Sequence, residues 1–299
     1  MAQLPIIVGI GETLWDCFPD RQCLGGAPLN FACSAAELAQ SSAQVSLVSA
    51  VGTDELGREA LAKCASYGVD VRHVTNLQRP TGQVFIEVDA NGVPSYRFKD
   101  HASWDHLPWT SDLENLAKQC DAVCFGSLGQ RSEVSRQSIQ LFVSSAPKTT
   151  LRVFDINLRS PFIDFQVIDQ SLLLANVLKL NDEELRILAQ RYDLTGSEAT
   201  LLSAVSARFQ LHTIALTRGV NGSMLWSHET VSESSGTSVK VVDTVGAGDA
   251  FTAALVLGLL SKETLHMINN HTSQVAAYAC SQPGATMAFP TDLRVSASR

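Results

Sequence analysis

Charge is scarce in this chain. Aspartate, glutamate, lysine and arginine make up 17% of its 299 residues, against a usual share of about 25%. A deficit of that kind excludes a disordered or coiled-coil architecture. Cations are the scarcer sign: 22 Lys and Arg stand against 30 Asp and Glu, a net charge of −8. A general nucleic-acid surface needs the opposite balance, although a single phosphate can still be held by backbone amides. Long apolar runs are also missing. The longest, residues 250–260, falls short of the ~20 residues of a membrane span. The start lacks the basic residues of a secretory signal, its first cation being Arg21. None of the seven cysteines forms a CxxC pair, and Cys120 and Cys124 are four apart. That odd count predicts reduced thiols and a cytoplasmic location. HExxH and Cys/His clusters are absent, so no tight transition-metal site is expected. No Gly-Lys pair exists anywhere, which excludes a Walker A loop.

What remains is a core-rich chain, 45% hydrophobic, of a length that suits one large α/β domain. Short β-branched runs predict strands over 5–11, 44–51, 121–126, 150–155, 176–180, 213–217 and 223–226. Between them, helical patterns cover 28–39, 54–67, 132–145, 182–191, 196–209 and 248–261. Runs such as Ile6-Ile7-Val8 are continuously apolar, as in a doubly wound parallel sheet covered by helices on both faces. Two segments break the rhythm. Residues 12–24 read as extended, and 83–98 read as a hairpin turning at Asn91-Gly92, with Pro94 at an edge or a strand end. Together they predict a small β-sheet set against the α/β body.

The strongest chemical signal is Val242-Asp243-Thr244-Val245-Gly246-Ala247-Gly248-Asp249-Ala250-Phe251. Small residues at the start of an apolar helix let consecutive N–H groups face one anion, and the helix dipole favours it. Asp249 in that position repels phosphate unless it has a task there. Taking a proton from an attacking hydroxyl is one; an ordinary acidic residue at a helix start is the alternative. The second signal is Gly25-Gly26-Ala27-Pro28-Leu29-Asn30. Paired glycines permit a tight turn and close approach of a ligand, and Pro28 suits a first helical turn. Asn30 offers an amide that both donates and accepts, as polyol recognition requires; a plain loop-to-helix junction reads the same way. Three weaker segments follow strand ends: Asp155-Ile156-Asn157-Leu158-Arg159, Lys179-Leu180-Asn181-Asp182-Glu183-Glu184 and Thr217-Arg218-Gly219-Val220-Asn221-Gly222. Asn181 and Glu184 share a side of a beginning helix. They either hold water on Mg²⁺ or cap the helix. Ligand sites in doubly wound sheets lie at such strand ends.

These motifs resemble the ribokinase-type (PfkB) family of carbohydrate kinases. Gly25-Gly26 with Asn30 is similar to its N-terminal signature, and Asp243-Thr244-Val245-Gly246-Ala247-Gly248-Asp249 to its C-terminal DTxGAGD signature. The likeness runs end to end, including Val51-Gly52-Thr53-Asp54-Glu55-Leu56-Gly57 and Gln282-Pro283-Gly284-Ala285-Thr286. Bacterial fructokinases are the nearer likeness, through Gly9-Ile10-Gly11-Glu12, Phe125-Gly126-Ser127-Leu128 and Phe154-Asp155-Ile156-Asn157-Leu158-Arg159.

The resemblance implies a ribokinase-like fold with a body over 1–11, 25–81 and 103–299 and a discontinuous β lid over 12–24 and 82–102. It implies phosphoryl transfer from ATP to a sugar hydroxyl, with Asp249 as the base and Gly246, Ala247, Gly248 and the Asp249 amide as the anion hole. Asp16, Gly25, Gly26, Asn30 and Arg159 take sugar-binding positions. Lys179, Asn181, Thr217, Gly219, Gly222 and Asn270 take nucleotide positions, and Glu184 with Asn181 holds Mg²⁺ through water. A monovalent cation beside the DTxGAGD loop is left open. The expected partners are a sugar, ATP and a second copy joined through the lid, with neither nucleic acid nor membrane. Ala27 stands where ribokinases often carry Lys, which leads away from ribose and leaves a small neutral residue near the sugar; fructose leads on the nearer likeness. Arg159 and Lys179 suit phosphate, an acidic sugar such as 2-keto-3-deoxygluconate, or an ion pair. Two other classes stay open: a catalytically silent sugar-binding regulator, and a dehydrogenase suggested by Gly9-Ile10-Gly11, which Leu14 in place of a third glycine opposes.

Overall fold

The predicted alternation of strands and helices is realised in a computed structural model that describes residues 3–88, 94–228 and 230–295. In chain order the elements begin with β1 (Ile6–Ile10), β2 (Leu14–Cys17), β3 (Gln22–Gly25), α1 (Ala27–Ala39), β4 (Gln44–Gly52), α2 (Glu55–Ser66) and β5 (Val74–Leu77). The middle holds β6 (Gly82–Val88), β7 (Pro94–Phe98), α3 (Ser111–Ala117), β8 (Ala122–Gly126), α4 (Glu133–Ser145), β9 (Leu151–Asp155), α5 (Phe165–Leu174) and β10 (Val177–Asn181). The last part runs α6 (Asp182–Arg191), α7 (Glu198–Phe209), β11 (Thr213–Thr217), β12 (Ser223–Ser227), β13 (Thr230–Ser234), α8 (Ala247–Leu260) and α9 (Leu265–Cys280).

Nine strands form the main sheet in the order β13-β12-β11-β10-β9-β8-β1-β4-β5. The seven from β11 to β5 are parallel, and β12 and β13 follow by antiparallel pairing. Alternate strand residues supply two cores. Ile7, Cys124, Val153 and Val177 join the helices α1, α2, α8 and α9 on one face. Val8, Val123, Phe154 and Leu178 join α3 to α7 on the other. Helix α8 is buried along Ala250–Gly258 between its neighbours, which explains why its sequence is apolar all round. Phe251 alone, 2% exposed, contributes roughly 1.5–3 kcal/mol by leaving water. The chain winds from β1 to β4 and β5, then crosses to β8 and continues outward. Its direction therefore reverses between β1 and β8, the kind of crevice where such sheets bind ligands.

The two irregular segments meet in a second sheet, ordered β3-β2-β6-β7. Pro94 opens β7 at the edge of this sheet, where its missing N–H leaves no ladder bond unmade. Asn91-Gly92 lies outside the described residues. Beneath this sheet Leu14, Val84, Ile86, Trp104 and Leu128 form a small third core. Arg131 fastens it to the body. Its guanidinium pairs with Asp105 at 2.7 Å, lies 4.1 Å over the Trp104 ring and donates to the Lys99 carbonyl just past β7.

Candidate active site

Most helices here start with a polar side chain that accepts a first-turn amide: Asp54 for α2, Thr110 for α3, Asp164 for α5, Asn181 for α6, Ser197 for α7 and Thr264 for α9. Helices α1 and α8 start instead on Gly26 and Gly246, with no side-chain cap. Both line one cleft of about 770 Å³ between the main sheet and the small one, a volume typical of small-molecule sites. The positive dipole ends of both helices therefore point at the same space, and the first-turn amides of α8 have no side-chain cap.

Gly246 has φ 78°, and a Cβ there would lie 2.5 Å from the Ala285 carbonyl oxygen. Only glycine permits both this backbone and this approach. Gly248 leaves room for a cation: an added Cβ would lie 3.0 Å from Lys179 Nζ. The ammonium therefore rests under the first turn of α8, paired with Asp155 Oδ1 at 3.1 Å. Asp155 Oδ2 accepts from Thr252 Oγ1 at 3.1 Å, one turn further along α8. Burial acts to lower the Lys179 pKa, but the charges of Asp155, Glu184 and Asp249 raise it above the ordinary value.

Asp249 sits in the first turn of α8 and faces the cleft. Asn30 Nδ2 donates to its Oδ2 at 2.9 Å, across 219 residues of sequence. The two strongest sequence motifs thus meet in one hydrogen bond. Burial, then the charge of Asp155, pushes the Asp249 carboxyl up to about 7; the Asn30 donor, Lys179 and Arg159 oppose the shift. Asp16 projects from β2 into the same cleft, raised by burial to about 6 against the pull of Arg159. Gly25 makes space for it, since a Cβ there would lie 2.9 Å from Asp16 Oδ2. Gly26 lines the cleft, and Ala247 is the first residue of α8. Arg159 is exposed at the cleft margin and makes no ion pair among the described residues.

The nucleotide-side residues are arranged beside the cleft. Asn181 and Thr217 are register partners at the ends of β10 and β11, and Gly219 and Gly222 form the turn into β12. Space around Gly219 is open, whereas a Cβ on Gly222 would lie 1.9 Å from the Ser234 carbonyl oxygen. Gly222 is therefore required by packing against β13 as well as by the turn. Asn181 and Glu184 close a capping box: Asn181 Oδ1 accepts from Glu184 N at 2.8 Å, and Glu184 Oε2 from Asn181 N at 2.8 Å. Glu184 Oε1 accepts from Leu158 N at 2.9 Å. Burial raises the Glu184 carboxyl, with Lys179 opposing. Capping is the role the geometry shows. Both carboxylate oxygens already hold amides, so these residues fit Mg²⁺ through water rather than by direct ligation. Among the described residues, no group of three His, Cys, Asp or Glu gathers to hold a metal.

Asn270 does not line the cleft; it is exposed on α9, where its amide bonds His266 Nε2 at 3.0 Å. Helical rotation turns its neighbour Asn269 inward instead, to Ser223 and Ser232. Three site residues went without a role in the sequence reading. They are Glu12, Asn157 at φ 44° in the cleft wall, and Asp155 as the partner of Lys179. Their signal was present, since each lies on or within two residues of a parallel strand's carboxyl end.

Comparison with known proteins agrees with this geometry. The sequence profile described as pfkB family carbohydrate kinase matches residues 12–292. Fructokinase of Salmonella typhimurium is 32% identical over 263 residues, covering 84% of this chain and 83% of its own. The crystal structure of an uncharacterized sugar kinase, PH1459 from Pyrococcus horikoshii, in complex with ATP, superposes with a TM-score of 0.79 at 26% identity, covering 94% and 93% of the two chains. The 2-dehydro-3-deoxygluconokinase of Thermotoga maritima shares the fold at a TM-score of 0.83 and 17% identity, covering 96% of each chain. The architecture is ribokinase-like.

Proposed function

The chain belongs to the pfkB family of carbohydrate kinases, and from that premise we propose that it is a fructokinase with Asp249 as its catalytic base. As a carbohydrate kinase it is a phosphotransferase with an alcohol acceptor and ATP as donor. The observation that carries the assignment of roles is the Asn30–Asp249 hydrogen bond, which aims a carboxylate of raised pKa beside an uncapped helix start. Above pH ~7 Asp249 is ionised and takes the proton of a sugar hydroxyl as its oxygen attacks the terminal phosphorus. Asn30 holds the carboxylate in one orientation. The amides of Gly246, Ala247, Gly248 and Asp249 stabilise the charge on the transferring group, and Lys179 adds a fixed positive charge beneath them. Mg²⁺ held through water by Asn181 and Glu184 would neutralise charge on the nucleotide's phosphates. Asp16, Gly25 and Gly26 receive the sugar, and Thr217 with the Gly219–Gly222 turn receives the nucleotide. The small sheet excludes water as a competing acceptor.

Fructose is favoured by the Salmonella relative and by the small neutral Ala27 at the α1 start. A second reading rests on Arg159, an exposed guanidinium at the cleft margin with no ion pair among the described residues. A sugar acid such as 2-keto-3-deoxygluconate would place its carboxylate there. A sugar panel in an ADP-release assay decides between them. Fructose-stimulated ADP release is the expected result. Preference for the keto acid, lost selectively in Arg159→Ala, would move the assignment. Sugar binding with no ADP formed across the panel would point to a silent regulator.

A further inference from the structure

Four buried side-chain oxygens have no partner among the described residues: Glu12 Oε2, Thr13 Oγ1, Asn30 Oδ1 and Ser34 Oγ. Only Glu12 and Asn30 belong to residues that line the cleft. They are 2% and 4% exposed. A buried acceptor left unpaired costs free energy that a bound donor restores. Glu12 is held firmly. Its Oε1 accepts the first amide of α1, from Ala27, at 3.1 Å, and so replaces the cap that Gly26 cannot supply. Its Oε2 lies against Gly129, where an added Cβ would be 3.1 Å away. Asn30 Nδ2 gives one of its two N–H groups to Asp249, and its oxygen holds no donor among the described residues.

We infer that Glu12 is a further recognition residue of the sugar site, its Oε2 accepting a hydrogen bond from a sugar hydroxyl beside the one already expected at Asn30. This rests on the sugar-kinase reading above and deepens it. Two buried acceptors in one cleft wall call for a ligand that presents hydroxyl donors, as a polyol does and a ketone or ether edge does not. Asp249 on α8, Arg159 beyond β9 and Cys124 on β8 are the titratable groups that face Glu12. Burial, with Asp249 adding to it, pushes Glu12 up to about 7, against its own and the Ala27 amides and Arg159. Acceptor strength here therefore falls below neutral pH, together with that of Asp249.

The test is Glu12→Gln, which keeps one oxygen for the Ala27 amide and turns the other position into a donor. Sugar kcat/KM is expected to fall about 10- to 100-fold, the equivalent of one hydrogen bond to a charged group, while KM for ATP stays within about twofold. A monodeoxy sugar series should contain one member whose wild-type penalty is absent in the variant. Asp249, Glu12 and Asp16 all carry raised carboxyls in this cleft, so the acid limb of log kcat/KM should be shallower by about one in Glu12→Gln than in wild type. Wild-type sugar kcat/KM in the variant, or a full deoxy series of unchanged penalties, would overturn the inference and leave the kinase reading intact. Should Glu12→Gln not fold, Glu12→Asp takes its place: a lowered sugar kcat/KM with KM for ATP within about twofold supports the inference, and wild-type sugar kcat/KM overturns it. A wild type that phosphorylates no sugar overturns both.

Discussion

Asp249 meets two demands at once. As a base it must be ionised; as part of a buried cluster it resists ionisation. Asp249→Asn is expected to lower kcat by about 10²–10⁴, and steady-state kinetics at saturating sugar and ATP will read it. The same carboxyl links stability to pH. Its folded pKa of about 7 lies above the ordinary 3.8, so the folded chain holds an extra proton between those values. Stability from this group is present below pH ~4 and is lost as pH rises through 7. Asp249→Asn should therefore raise the melting temperature more at pH 8 than at pH 5. An equal change at both values would contradict the shift. At this scale the sequence was legible where chemistry and spacing coincide. The glycines and Asp249 stood out because a helix start with no cap is informative by itself. Glu12 did not, because its place after a strand end marks a site without a role until folding brings the α1 amide to it.

Elements set how much each residue can do. The start of α8 depends on Gly246, where a Cβ would meet the Ala285 backbone. Gly246→Ala is expected to cost roughly 1–3 kcal/mol of stability and to abolish most turnover, as read by thermal melts and ADP release. Retained activity would show that these amides do not hold the phosphate. The buried Arg131–Asp105 pair joins the base of the small sheet to the body. Arg131→Ala leaves Asp105 buried and unpaired, at about 3–5 kcal/mol; a melting point near wild type would deny the anchor. Asn181→Ala removes the α6 cap, for about 0.5–2 kcal/mol, and should raise the Mg²⁺ concentration that half-saturates activity. A change in stability without a change in Mg²⁺ response would leave capping as its only task. The strands and helices with strong periodicity were all legible. Missed were β5, a run of only four residues, β13, with its exposed polar alternation, and α3 and α5. Helix α9 is rich in Asn, His, Thr and Ser, poor helix formers, and is held by packing on α8 that no local pattern records.

The whole molecule joins a doubly wound body to a small sheet across one cleft. The parallel body was legible because strands covered on both faces must be continuously apolar. How the small sheet sits over Asp249 was not, since that depends on contacts made at long range. Its edge strand β7 offers unpaired backbone groups, and exposed edges tend to be paired or covered. A homodimer through this sheet is the expected state, and light scattering that finds only monomer at micromolar concentration would exclude it. All of these expectations depend on where the migrating phosphate rests. The direct measurement is a crystal structure with a non-hydrolysable ATP analogue and fructose. The terminal phosphate should lie on the amides of Gly246 to Asp249, with one sugar hydroxyl on the Asp249 carboxylate. A terminal phosphate bound away from that helix start, with the sugar out of reach of Asp249, would contradict the assignment.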